Sequence, residues 1–244
     1  MYYLKKMPNF ALEMSKNENQ IENVEELNPV WATLSKDDKE ALQQLSTMIL
    51  VDRNEDIFVE GDTPQYVYMV VDGKVRMSKN GVGQTQILSL LKPYDIFRFR
   101  APISNECYTI NATAFEPSLL YAVEVPFFQH LIETNVQFCQ YFMKRLSVYV
   151  SMMASQAINL SQKHIRGRLA ETLVNLLDQY GLEADGATLS IYLSREDLAN
   201  MSSMTTSNAI RTLSQFAQDH LIAVDGRKIK ILCEDELRKI SRLG

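Results

Sequence analysis

The chain has 244 residues, 46% of them hydrophobic, and a formal net charge of −5, enough apolar material for two globular domains. No apolar run reaches the roughly 20 residues that a bilayer span needs, and the N-terminal MYYLKKMPNFALEMSKNENQ lacks the long apolar stretch of a secretory signal. Cys107, Cys139 and Cys233 are scattered outside any CxxC pattern, so no disulfide frame or metal centre is expected, and a reducing, cytoplasmic setting is.

Residues 1–27 form a polar N-terminal extension, with helical character only at 21–27. Residues 31–50 read as a short amphipathic helix that starts at Ser35 and turns Leu42 and Leu45 inward. From Val51 the period changes. Short strands are predicted at 57–60, 67–71, 74–78, 86–90, 108–114 and 119–123, separated by Gly61-Asp62, Asp72-Gly73, Asn80-Gly81, Lys92-Pro93 and Glu116-Pro117. Such spacing suggests a β-sandwich or jelly roll. A jelly-roll metalloenzyme would need metal-binding side chains clustered on these strands, and residues 51–125 contain no histidine. No catalytic or metal-binding residues and no cofactor are expected.

Pro126 opens a long helical stretch running to about Leu160. Within it Cys139, Phe142, Leu146, Tyr149, Met153, Gln156 and Leu160 follow alternating spacings of three and four, a seam sustained over about 33 Å. The aromatic residues before Cys139 are expected to pack on the β domain. Beyond it, one seam with no partner helix following predicts a parallel dimer zipped through Phe142, Leu146, Tyr149, Met153 and Leu160. A further amphipathic helix covers 164–180 and stops at Gly181.

Residues 194–222, SREDLANMSSMTTSNAIRTLSQFAQDHLI, read as two short helices meeting at a tight turn. Ser194 caps the first, with Glu196 and Asp197 answering its free N–H groups and dipole. Leu198, Ala199 and Met201 form its apolar side. Ser202-Ser203 breaks it, and Thr205 or Thr206 caps a second helix whose Ala209, Ile210, Leu213 and Phe216 fall at inward spacing. Thr206, Ser207, Asn208 and Arg211 then face outward near the second N-terminus, where a helix-turn-helix protein meets base edges. Residues 221–224, Asp225-Gly226-Arg227 and 228–232 add a hairpin whose Arg227 and Lys228 suit phosphate. The charge distribution agrees: from Ser161 onward 11 basic residues face 11 acidic ones, so the whole net charge of −5 belongs to the preceding part. A neutral module implies few phosphate contacts per subunit, which a dimer doubles.

Strands, a long helix and a winged helix, in this order, resemble the cyclic-AMP receptor protein and fumarate-nitrate regulator (Crp/Fnr) family of bacterial transcription factors across roughly residues 30–232. The best matches are Val59-Glu60-Gly61-Asp62, the 68–71 strand with Asp72-Gly73-Lys74-Val75, Gly167-Arg168-Leu169-Ala170, and residues 194–222. The resemblance implies an α+β chain: an N-terminal β-roll (a double-stranded β-helix of the cyclic-nucleotide-binding kind), a long dimerisation helix, and a C-terminal winged helix-turn-helix. The corresponding domains are 1–27, 28–125, 126–160 and 161–244. It implies phosphate contacts by Thr205 and Asn208, base reading by Thr206, Ser207 and Arg211, and a backbone contact by Arg195. Thr206 and Ser207 replace an arginine or other residue followed by glutamate. Neither hydroxyl reproduces a glutamate that accepts from cytosine N4, so the family's best-known half-site does not carry over. Its partners would be a palindromic duplex, a second copy of itself and RNA polymerase.

The nucleotide pocket departs further. Where the family has Phe-Gly-Glu and then Arg-Ser or Arg-Thr, this chain has Asp95-Ile96-Phe97-Arg98-Phe99-Arg100-Ala101-Pro102 and Tyr108-Thr109, and the adenine-facing hydroxyl positions fall on Tyr149 and Val150. Cyclic AMP is not the expected effector. The four-cysteine iron–sulfur pattern of the oxygen-sensing branch is absent, and His130, His164 and His220 fall in predicted helices, leaving no haem ligand in the β-roll. If 97–100 is a strand, Arg98 and Arg100 share a face; turned inward they would hold an anionic metabolite, and turned outward they are solvated charges. Candidate effector residues are thus Arg98, Arg100, Tyr108, Thr109 and Tyr149. The competing reading is a ligand-binding regulatory subunit whose neutral C-terminal domain docks a protein.

Overall fold

A computed structural model of the chain describes residues 28–244; the extension 1–27, including the helical character expected at 21–27, lies outside the described residues. The described chain falls into two compact units, one of residues 28–76 and 90–146 and the other of residues 77–89 and 147–244.

A 3-10 turn, Pro29–Thr33, and helix α1, Lys36–Gln44, come first among the described residues, capped by the side chains of Asn28 and Ser35. Eight strands follow: β1 Ser46–Val51, β2 Asp56–Phe58, β3 Tyr66–Asp72, β4 Val75–Asn80, β5 Thr85–Leu91, β6 Ile96–Phe97, β7 Asn111–Ala114 and β8 Ser118–Glu124. They form two four-stranded sheets, β1-β8-β3-β6 and β2-β7-β4-β5. The helix expected over 31–50 is therefore cut short, and its last five residues belong to β1. Ser46 ends the helix by donating its hydroxyl to Leu42 O at 2.5 Å, with Tyr121 Oη a further 2.6 Å partner. Ser46 to Val51 then pair antiparallel with Val123 to Ser118 of β8. The Asp72-Gly73 turn between β3 and β4 needs its glycine: φ is +83°, and a Cβ would lie 2.6 Å from Pro117 O.

In the sheet β1-β8-β3-β6 the two central strands, β8 and β3, are buried on both faces. Val67, Met69 and Val71 of β3 alternate onto one face with Leu119, Tyr121 and Val123 of β8. Against them lie Trp31 and the aromatic residues of two helices, α3 Val125–Thr134 and α4 Val136–Gln162. Tyr68, Val70, Leu120 and Ala122 take the opposite face, where Tyr68 meets Phe58 of β2 at 6.1 Å between ring centroids.

The long helix expected from Pro126 is two helices. Asn135 breaks it with extended backbone (φ −115°, ψ 104°). Its Oδ1 accepts from Phe138 N at 3.0 Å and its Nδ2 donates to Thr33 O at 2.9 Å, so one side chain caps α4 and ties it to the N-terminal turn. Phe142 is corrected as well. It is 1% exposed, packed 4.9 Å from Phe99 and Phe138 and 5.0 Å from Phe128; it belongs to the core of its own chain, not to the seam. Further along α4, Leu146 and Met153 are half-buried, while Tyr149 and Leu160 are 42% and 49% exposed, among exposed Val148, Val150, Met152 and Ile158.

The second unit contains α5 Ile165–Tyr180, α6 Arg195–Met201, α7 Thr206–Gln218, the hairpin β9 Ile222–Asp225 and β10 Lys228–Ile231, and α8 Glu234–Leu243. Leu169, Leu173, Leu176, Leu198, Leu213, Phe216, Ile229 and Leu237 are its buried centre. The sequence reading assigned no element to α8, whose Arg238 pairs with Asp178 of α5 and with Glu234 at 2.7 Å. Gly167 admits no side chain because a Cβ would lie 2.6 Å from the backbone of Gly244. His164 precedes the first residue of α5 and His220 follows α7 at φ +56°, so both stand at helix ends and not within helices. Among the described residues, no helix is long and apolar enough to cross a membrane.

Candidate nucleic-acid interface

The α6–α7 pair is built by local bonds that its sequence dictates. Ser194 Oγ accepts from Asp197 N at 3.0 Å, and Asp197 Oδ2 accepts from Ser194 N at 3.1 Å, a reciprocal capping box. The turn after α6 passes through Ser203 at φ +52°. Beside it the buried Ser202 hydroxyl donates to Thr172 Oγ1 of α5 at 2.8 Å, and Met204 N donates to Ala199 O at 3.0 Å. Thr205 caps α7 by accepting from Asn208 N at 3.3 Å. The expected helix-turn-helix is present with its caps where the sequence puts them.

Ala209, Leu213 and Phe216 form the inner face of α7. Thr206, Ser207 and Arg211 are exposed, as expected, while Asn208 is half-buried and its Oδ1 accepts from Arg211 Nη2 at 3.1 Å. That bond steadies the guanidinium beside the helix tip. Ile210, expected inside, is 49% exposed. It joins Thr206, Ser207, Arg211 and Ser214 on the outer face, because residues three and four apart share a face. Apolar spacing identified it as apolar but not which side of the helix had partners; the core is already complete without it.

The wing is tethered from two sides. Arg195 Nη2 donates to Gly226 O at 2.8 Å, so Arg195 braces the hairpin turn. Lys228 Nζ lies 3.9 Å from a Glu183 carboxylate oxygen and 5.2 Å from the Tyr192 ring centroid. Lys230 Nζ is 3.2 Å from Asp185. Bonds from the Thr188 backbone first, then the Thr188 hydroxyl and the Ala187 backbone, hold the Asp185 carboxyl well below the usual carboxylate range. Arg227 is exposed at the tip. The sequence shows Arg227 and Lys228 at the tip, but not the carboxylates Glu183 and Asp185 that stand beside Lys228 and Lys230 from a distant part of the chain.

Four of the candidate effector residues meet as two separate pairs, Arg98 with Tyr108 and Arg100 with Thr109. β6 ends at Phe97, Arg98 takes left-handed backbone (φ +68°), and helix α2, Arg100–Ser104, begins two residues later, so the shared strand face expected for Arg98 and Arg100 does not form. Arg98 is 9% exposed, its Cζ 4.5 Å from the Phe58 centroid and 4.3 Å from that of Tyr108. Those rings are themselves 4.1 Å apart. Arg100 instead reaches Glu106 at 2.8 Å and Thr109 Oγ1 at 3.0 Å. Tyr108 donates its hydroxyl to Tyr66 O at 3.0 Å, and Tyr149 lies exposed on α4. Burial pushes the Tyr108 phenol up, and it pushes Tyr68 up to about 12. Among the described residues no cluster of histidine, cysteine or carboxylates is arranged to hold a metal ion.

Residues 49–135 match the family model of the cyclic nucleotide-binding domain, and residues 167–240 match that of the Crp-like helix-turn-helix domain. The Global nitrogen regulator of Synechococcus elongatus is 24% identical over 184 residues, 74% of this chain and 83% of the relative. The Anaerobic regulatory protein of Bacillus subtilis is 24% identical over 209 residues, 84% of this chain and 88% of the relative. Among solved structures, FixK2 from Bradyrhizobium japonicum aligns with a TM-score of 0.72 at 22% identity, covering 80% of this chain and 96% of that one. The fold likeness thus spans both the strand-rich unit and the helix-turn-helix.

Proposed function

We propose that this chain, which belongs to the Crp/Fnr family of DNA-binding transcription regulators, works as a homodimer that reads a two-fold symmetric duplex site through α7. The observation that carries this is the tip of α7. Thr205 and Asn208 fix the helix start, while Thr206, Ser207 and Arg211 project outward beside it. Arg211 has the geometry to take guanine O6 and N7 together.

Dimerisation is supported by α4, where half-buried Leu146 and Met153 and exposed Tyr149 and Leu160 follow one another at spacings of three, four and seven and so share one face. A second copy of the same helix buries such a stripe by two-fold symmetry. Paired helices would then present two α7 tips to successive major grooves, about 34 Å apart. The effector we propose for the sensing domain is not cyclic AMP. Arg98 is committed to the Phe58–Tyr108 pair and Arg100 to Glu106 and Thr109, so no two guanidiniums converge on an anion. RNA polymerase is the proposed protein partner once the dimer is on its site.

Selection from random duplexes with the full chain tests this reading. Enrichment of a palindrome with half-sites one helical turn apart is expected. Recovery of no preferred sequence would overturn it and favour a protein-docking role for the second unit.

A further inference from the structure

One outward side chain on α7 is out of keeping with its neighbours. Ala209, Leu213 and Phe216 already supply the buried face, yet Ile210 stands 49% exposed. It lies one turn after Thr206 and Ser207, next to Arg211 and one turn before Ser214, all exposed. Single apolar side chains on a surface are ordinary; this one sits at the centre of the face that the DNA-reading role assigns to base edges.

The chemistry available there is narrow. A branched hydrocarbon neither donates nor accepts, and the one apolar group that the major groove offers is the C5 methyl of thymine. Opposite any other base edge, Ile210 would strip water from polar atoms and return no hydrogen bond. We infer that Ile210 is a specificity-determining residue that reads a thymine C5 methyl beside the base pair taken by Arg211. The hydroxyls of Thr206 and Ser207 are tolerant of several bases, so the isoleucine and the arginine carry most of the discrimination on this face. The inference rests on the DNA-reading role proposed above and adds to it the chemical group recognised.

Removing the methyl without changing base pairing tests it directly. From the operator that the full chain selects, each thymine is replaced in turn by deoxyuridine, and affinity is measured at fixed salt for the wild type, Ile210→Ser and Ile210→Val. Expected is one thymine per half-site whose replacement weakens the wild type about fourfold, the worth of one buried methyl. Ile210→Ser should be indifferent to that same replacement, and Ile210→Val should keep most of the sensitivity. Ile210 lies outside the core, so the serine variant is expected to fold, and its circular dichroism confirms that. If every uridine substitution leaves the wild type unchanged, or weakens Ile210→Ser equally, Ile210 does not read the methyl, although the DNA-reading role stands. If selection enriches no sequence, the DNA-reading role falls and the inference with it.

Discussion

Thr205 commits its side chain to capping α7, and Asn208 commits its own to steadying Arg211. Arg211→Ala is expected to cost about 1–3 kcal/mol of binding and to relax one base position in repeated selection; uniform weakening over all sequences would make Arg211 a phosphate contact instead. Tyr68 makes a second prediction. Burial, then the nearby Tyr66 and Asp62, raise its phenol from 10.0 to about 12. An unfolded tyrosine ionises near 10, so stability is whole below about pH 10 and falls as pH rises from there through about 12, where only the unfolded chain has lost its proton. Melting temperature should decline across that window, and Tyr68→Phe should soften the decline. At this scale, what the sequence made legible were residues whose chemistry is local: the caps Ser35, Ser194 and Thr205 bond within three positions. Phe142 and Ile210 were illegible for one reason. Spacing marks a residue as apolar, but only tertiary neighbours decide whether it meets its own core or points away.

Short helices depend on their ends, and α6 has only seven residues. Ser194→Ala removes one half of its capping box and should lower the stability of the second unit by about 0.5–2 kcal/mol, read by denaturant melts. DNA affinity should fall with it, since α6 and the turn position α7. On α4, replacing Tyr149 and Leu160 by glutamate puts like charges on the exposed stripe. Sedimentation is expected to show dimers for the wild type and monomers for the double variant, and a dimeric double variant would place the interface elsewhere. Most element types were readable, because Asp72-Gly73 and Asp225-Gly226 mark turns and residues 67–71 and 119–123 are dense in β-forming side chains. β1 was not, since it follows α1 with no glycine or proline between and its helix-ending bonds come from Ser46 and the distant Tyr121. The α3–α4 break was hidden likewise: Asn135 is an ordinary helix-surface residue until Thr33 O is there to receive it. α8 is mostly charged, and its buried Leu237 acquires a partner only in the folded unit.

At the scale of the whole molecule, a chain with sequence pI near 5.3 is proposed to bind a polyanion, and the wing shows how those facts coexist. Lys228 and Lys230 already stand beside Glu183 and Asp185. A lysine that moves to a phosphate releases a cation from the duplex, while the carboxylate it leaves gathers one from solution. Net ion release is therefore expected to be smaller than the number of wing lysines suggests. Glu183→Gln should steepen the dependence of log affinity on log salt by up to about 0.9 for each subunit and tighten binding to arbitrary sequences. An unchanged slope would mean that Lys228 stays off the duplex. If the wing lysines reach phosphates, Glu183 and Asp185 act as tethered decoy phosphates. They would then keep the molecule from lingering on DNA at large and leave residence to whatever the tip of α7 can recognise.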